Sequence, residues 1–309
     1  MAVVESDAQL QEIGDGVWAW VQRDGTWWVN NAGLIAGDDG DLLVDTCATA
    51  DRTAALLAAV AAVRPASRLR WAVNTHAHGD HTYGNSVLPA DVTLIGHERM
   101  RETLAADAVI DGCPPFWSPV PDWGAVTRRL PDLTFDHALT VHRGATRVEV
   151  RHPGHAAHTT GDAVVWLPAQ SVLFAGDLLF AGLTPLVFMG SLAGAAAVLD
   201  WIAAFDADVI VPGHGPVLSR ADLAPQLDRH RRYYAFVRDA ADRGLASGAS
   251  PFETATRLDL GEFADWADAE RIVLNLHRAY ADSRGEELDV IAAFRDAVAW
   301  NGGPLRTIV

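Results

Sequence analysis

The run Thr75-His76-Ala77-His78-Gly79-Asp80-His81 puts four imidazole or carboxylate donors within six residues, directly after the apolar stretch 69–74. Four such donors cannot share one helix face or one strand face. A loop must turn them toward a common region, and Gly79 supplies backbone freedom for that turn. His76 and His78, two apart, point the same way in extended chain, whereas Asp80 and His81 lie beyond the glycine and can aim at a second point. Three further donors follow other apolar runs: His158 just before Thr159-Thr160-Gly161-Asp162, Asp177 in Ala175-Gly176-Asp177, and His214 in Pro212-Gly213-His214-Gly215. Each sits in a glycine-containing turn, which collects the donors along one edge of a sheet. Imidazoles and carboxylates without thiolate suit zinc, with iron or manganese as alternatives. Seven donors exceed one tetrahedral site and match two metals that share a carboxylate.

The elements that carry these donors are legible in the hydrophobic pattern. Runs at 17–22, 27–35 and 41–45 predict antiparallel strands, with turns at Arg23-Asp24-Gly25 and Gly37-Asp38-Asp39-Gly40. Residues 49–63 predict a helix capped by Thr49 or Asp51 and stopped before Pro65. A buried strand over 69–74 and a helix over 97–106 follow. The proline-rich aromatic segment 111–124 predicts an irregular loop. Strands resume at 147–152, 163–167, 171–175 and 209–211, which gives an α/β body with helices packed on sheets. Beyond 220, residues 221–245, 265–283 and 287–300 have amphipathic helical patterns rich in Arg, Asp and Glu. This places a catalytic body at 1–219 and a C-terminal helical extension at 220–309.

The ordered set H-x-H-x-D-H, a His before T-x-G-D, G-D after a strand, and G-H-G resembles the metallo-β-lactamase superfamily over roughly residues 10–220. The resemblance implies a four-layer αββα sandwich. It implies His76, His78 and His158 at a first metal site, Asp80, His81 and His214 at a second, and Asp177 as a bridging carboxylate. It further implies two zinc ions per chain, a metal-bound hydroxide as nucleophile, and Asp80 as the catalytic group that passes a proton to the leaving group. His155 is the alternative to His158. Asp45 either orients a ligand histidine from outside the ligand set or serves as a cap or turn residue. Cys47 is a buried thiol or a neighbour of the site. His97, His137 and His230 read as structural or solvated.

Trp27, Trp28, Trp117, Phe180 and Phe188 are the candidate lining of an apolar substrate pocket, with core packing as the competing role. The expected activity is hydrolysis of an ester, lactone or thioester bond in a small, largely apolar substrate. A β-lactam hydrolase and a mononuclear iron persulfide dioxygenase are the alternatives. The formal net charge of −16 opposes nucleic-acid partners and anionic membranes. All basic residues are arginine, which excludes lysine Schiff-base chemistry. The first residues do not form a signal peptide, no run is long enough to span a bilayer, and two cysteines cannot build a disulfide scaffold, so a cytoplasmic location is expected. Tyr233, Tyr234, Phe236 and Trp266 give the tail an apolar surface, either to cap the pocket or to form a homodimer.

Overall fold

The computed structural model describes residues 8–22, 25–66 and 68–309; the turn expected at Arg23-Asp24 and the acidic start at 1–7 lie outside these. The first strands, β1 (Gln9–Gly14), β2 (Val17–Val21), β3 (Ala32–Ile35) and β4 (Asp41–Val44), form an antiparallel meander. Helix α1 (Ala50–Val63) then crosses over to β5 (Leu69–Val73), which runs parallel to β4. Thr49 caps α1 by accepting from the Arg52 amide. The short α2 (Gly79–Thr82) leads to β6 (Thr93–His97), α3 (Glu98–Ala106), β7 (Trp117–Ser118) and β8 (Leu133–Phe135). All of these strands except β7 make a seven-stranded sheet in the order β1-β2-β3-β4-β5-β6-β8.

The second sheet contains β9 (Ala138–Arg143), β10 (Thr146–Arg151), β11 (Val164–Leu167), β12 (Val172–Phe180), β13 (Val209–His214) and β14 (Leu218–Ser219), in the order β14-β13-β12-β11-β10-β9. Helix α4 (Leu192–Ala203) makes the crossover from β12 to β13. The tail comprises α5 (Arg220–Ser247), α6 (Pro251–Thr256), α7 (Arg271–Arg284), α8 (Val290–Asn301) and β15 (Leu305–Arg306), the last paired in parallel with β7.

Alternation along the strands sorts the side chains into four layers. Leu43, Ala72 and Leu94 face Leu56 and Val60 of α1. Their neighbours Val44, Val73 and Ile95 face the other way and meet Val165, Phe174 and Val211 of the second sheet. Leu173 and Ile210, on the far face of that sheet, pack with Leu199 and Ile202 of α4 and with Leu223 and Tyr233 of α5. The result is the αββα sandwich. Gly33 keeps the sheets in register, because a Cβ there would overlap the Phe174 ring.

Several expected boundaries shift. The strand expected over 27–35 begins only at Ala32, because Trp28 takes φ 69° and Trp27 makes an isolated bridge to Thr307. The helix expected over 265–283 begins at Arg271, because Asp268 adopts φ 56°, outside helical geometry. β12 continues through the glycine to Phe180. β1, β6, β8, β9, α4, β14, α6 and β15 were not expected from the pattern, and β7 and α2 form where the sequence reads as loop. No helix among the described residues is long and apolar enough to cross a membrane.

Candidate metal centre

The donors converge where strands end. The β5 C-terminus delivers His76 and His78, α2 delivers Asp80 and His81, the turn after β10 delivers His158, β12 carries Asp177, and β13 ends at His214. Two groups result, His76, His78, His158 and Asp177 in one and Asp80, His81 and His214 in the other; within each, one donor atom per residue lies within 4.8 Å of the rest. His78 Nδ1 is 3.1 Å from His76 Nε2 and 2.9 Å from His158 Nε2. Asp177 spans both groups: Oδ2 is 3.3 Å from His158 Nε2 and 3.4 Å from His214 Nε2, and Oδ1 is 3.1 Å from His81 Nε2. His155 is exposed and its ring turns to the Ala156 carbonyl. His97 packs on His152, and His230 is buried on α5 against β12.

Four of the five imidazoles are held through the outward nitrogen, whereas His78 Nε2 has no hydrogen-bond partner among the described residues and its ring is held by stacking on Phe188. His158 Nδ1–H donates to the Leu186 carbonyl at 2.6 Å, and His214 Nδ1–H donates to the Gly25 and Val29 carbonyls. His81 Nδ1–H donates to Asp45 Oδ2 at 2.8 Å. The Thr75 hydroxyl donates to the same Asp45 oxygen and is 3.1 Å from His76 Nδ1. Asp45 also accepts from the Thr75 amide at 2.7 Å, and holds φ 60° to do so. It therefore orients one histidine of each group. Cys47 is fully buried, and burial pushes its thiol up to about 12.

These donors fit a pair of cations. With the outward nitrogens protonated, the inward ones present lone pairs to one another and to two carboxylates. His81 Nε2 and Asp177 Oδ1 are buried and have no hydrogen-bond partner among the described residues. Buried acceptors facing acceptors are unfavourable unless positive charge lies between them. The two groups differ in how readily their side chains carry charge. Burial would raise the Asp80 carboxyl, but His81 and His214 overturn that and hold it at about 2. Burial would lower His214, but Asp177 and Asp80 raise it to about 9. Burial wins at His158, which falls to about 3, and at His76, which is held well below its ordinary value.

The cluster opens into a cavity of about 910 Å³. Trp27, Trp28, Trp117, Phe180 and Phe188 all line it, beside His78, Asp80, Asp177 and His214. Phe188 stacks on the His78 ring and Phe180 on the His214 ring. Trp123 lies behind this wall, against Trp28 and Tyr83. Three features of the cavity carried no sequence signal. Val290, Ile291 and Phe294 of α8 form part of its wall. Tyr83 donates to Asp107 Oδ2 at 2.6 Å on another part. Arg271, buried beneath, is paired with Asp268 and lies over the Trp27 ring.

The sequence model of the metallo-beta-lactamase superfamily matches residues 25–214. A hydroxyacylglutathione hydrolase from Acidiphilium cryptum is 31% identical over 78% of this chain and 88% of its own length. A linear primary-alkylsulfatase from a Pseudomonas species is 24% identical over 74% of this chain, which spans 49% of that relative's length. Among solved structures, a metallo-beta-lactamase from Pontibacter korlensis superposes with a TM-score of 0.60 at 22% identity, covering 72% of this chain and 99% of that one.

Proposed function

The chain belongs to the metallo-β-lactamase superfamily, and from that premise we propose that it is a dinuclear zinc hydrolase of a small, largely apolar ester, lactone or thioester. The observation that carries this reading is the paired donor cluster at the floor of an aromatic cavity. His76, His78 and His158 would hold one ion, Asp80, His81 and His214 the other, and Asp177 would serve both. When bound, such a pair supplies Lewis acidity and a solvent nucleophile at neutral pH.

The chain's own groups do the remaining work. Trp27, Trp28, Trp117, Phe180 and Phe188 bind the apolar part of the substrate and exclude water, which strengthens every electrostatic contact at the floor. Asp80 borders the cavity with its carboxylate 3.2 Å from His214 Nε2. Held ionised by His81 and His214, it would take up the proton that the attacking solvent molecule gives up and hand it to the leaving group. Away from the metal ligands, the charged lining residues are Asp107, Glu287 and Arg271, and the arginine is already neutralised by Asp268. That balance supports an uncharged substrate over the anionic sulfate ester implied by the alkylsulfatase relative's name.

The test is metal analysis followed by a panel of neutral esters, lactones and thioesters, with an alkyl sulfate and a β-lactam beside them. We expect two zinc ions per chain and zinc-dependent turnover of neutral substrates. One iron with oxygen consumption, or full activity in metal-free protein, overturns the reading.

A further inference from the structure

The segment between β12 and α4 is held by the tail almost residue by residue. The Thr184 amide donates to the Ala267 carbonyl at 2.9 Å, and the Thr184 carbonyl accepts from the Arg271 guanidinium at 3.1 Å. The Pro185 carbonyl accepts from Asn275 Nδ2 at 2.7 Å, and the Val187 amide donates to Asn275 Oδ1 at 2.7 Å. Leu186, between them, turns its carbonyl the other way and accepts the His158 Nδ1–H at 2.6 Å.

Asn275 is fully buried on α7 among Ile272, Val273, Leu274 and Leu276. An amide is a poorer helix former than leucine, and burying one is costly unless its bonds are made. Here Oδ1 accepts once, and Nδ2 donates to Pro185 and to the Tyr233 hydroxyl at 2.8 Å. The side chain acts as a short strand edge that clamps the backbone on both sides of one peptide carbonyl.

We infer that Asn275 is a positioning residue for the metal ligand His158: by fixing Pro185 and Val187 it sets the Leu186 carbonyl, and that carbonyl sets the ring. The proposal rests on the metal reading above, and it makes the helical tail part of the centre. A ligand histidine depends on the partner of its outward nitrogen, and losing such a partner costs about 10- to 100-fold in metal affinity.

The experiment compares wild type with Asn275→Ala, with the milder Asn275→Ser should the alanine variant not fold, and with Tyr233→Phe. The phenylalanine control removes a bond to Asn275 but leaves both bonds to the loop. Zinc affinities are read by chelator competition, and the His158 Nδ1–H proton by NMR in metal-free protein. We expect the Asn275 variants to weaken one ion about 10- to 100-fold and leave the other within about twofold. Their His158 proton should move upfield and exchange faster. Tyr233→Phe should change neither reading. Unchanged affinity and an unchanged His158 proton in a folded Asn275 variant overturn the proposal. So does equal weakening of both ions, or an equal effect from Tyr233→Phe. If wild type takes up no zinc, the metal reading fails, and the His158 proton alone decides whether Asn275 positions the ring.

Discussion

Asp45 shows how much one carboxylate can settle. It accepts from His81 directly and from both the amide and the hydroxyl of Thr75, and that hydroxyl touches His76. Asn at 45 would tolerate the left-handed backbone but would place an amide donor where one acceptor oxygen is needed. We expect Asp45→Asn to stay folded and to bind zinc about 10- to 100-fold more weakly, as read by chelator competition; undiminished affinity would leave Asp45 a turn residue only. His78→Ala removes a donor itself and should lose metal and at least roughly a hundredfold of activity, checked by metal analysis and turnover. At this scale the sequence was most informative. Two histidines two apart before a glycine, and donors beside glycines at or after apolar runs, can be picked out as candidates without coordinates, and the fold brings them together. Asn275, Tyr83, Asp107 and Arg271 do not, because a buried amide on a helix or a tyrosine beyond a ligand turn has no local pattern. Their roles arise only from what the fold brings against them.

At the level of elements, legibility follows periodicity. α1 and α5 carry long, unambiguous patterns, and the apolar runs of β3 and β5 read as strands, whereas the small-residue helix α4, with its Leu192-Ala193-Gly194-Ala195-Ala196-Ala197 start, does not read as a helix. α4 is helical because Ser191 caps it and because Val198, Leu199 and Ile202 bury against the second sheet. The packing of the sheets makes a sharp demand at Gly33. Gly33→Ala should overpack against Phe174 and cost about 1–3 kcal/mol, seen as a lower midpoint in denaturant; an unchanged midpoint would mean the sheets have slack. The seam between α5 and β12 makes a different one. His230 Nδ1–H donates to the Gln226 carbonyl, while Nε2 accepts from the Phe180 amide, so the neutral ring is the one that fits. Burial lowers its pKa to about 4. The unfolded chain binds this proton near 6.5 and the folded chain only near 4, so the stability is present above 6.5 and is lost as pH falls between the two values, by roughly 3 kcal/mol at most. His230→Gln should remove that slope from a pH series of unfolding midpoints; parallel curves for variant and wild type would show that His230 does not titrate across folding.

For the molecule as a whole, the open matter is whether 220–309 is an appendage. One apolar cluster runs without a break from Leu173, Phe180 and Ile210 of the body through Leu223, Tyr233 and Leu274 to Phe294. Thr26 donates to Asp268, Trp27 Nε1–H donates to Glu270 at 2.6 Å, and β15 pairs with β7. Each large side chain of that cluster contributes about 1.5–3 kcal/mol by staying out of water, against a total stability of only about 5–15 kcal/mol for an ordinary domain. A chain ended at Ser219 would expose the outer face of the second sheet, lose the α8 wall of the cavity and release the Leu186 loop from α7. It would present a contiguous apolar patch well beyond what soluble monomers carry. We therefore expect residues 1–219 expressed alone to aggregate or to fail to retain two zinc ions, as read by size-exclusion chromatography and metal analysis. In the full chain, calorimetry should show one transition whose measured and van't Hoff enthalpies agree, because a shared core leaves no independent unit to melt first. A soluble 1–219 fragment that holds both ions, or two separate transitions in the full chain, would mean that the helices are carried by the body and not required by it.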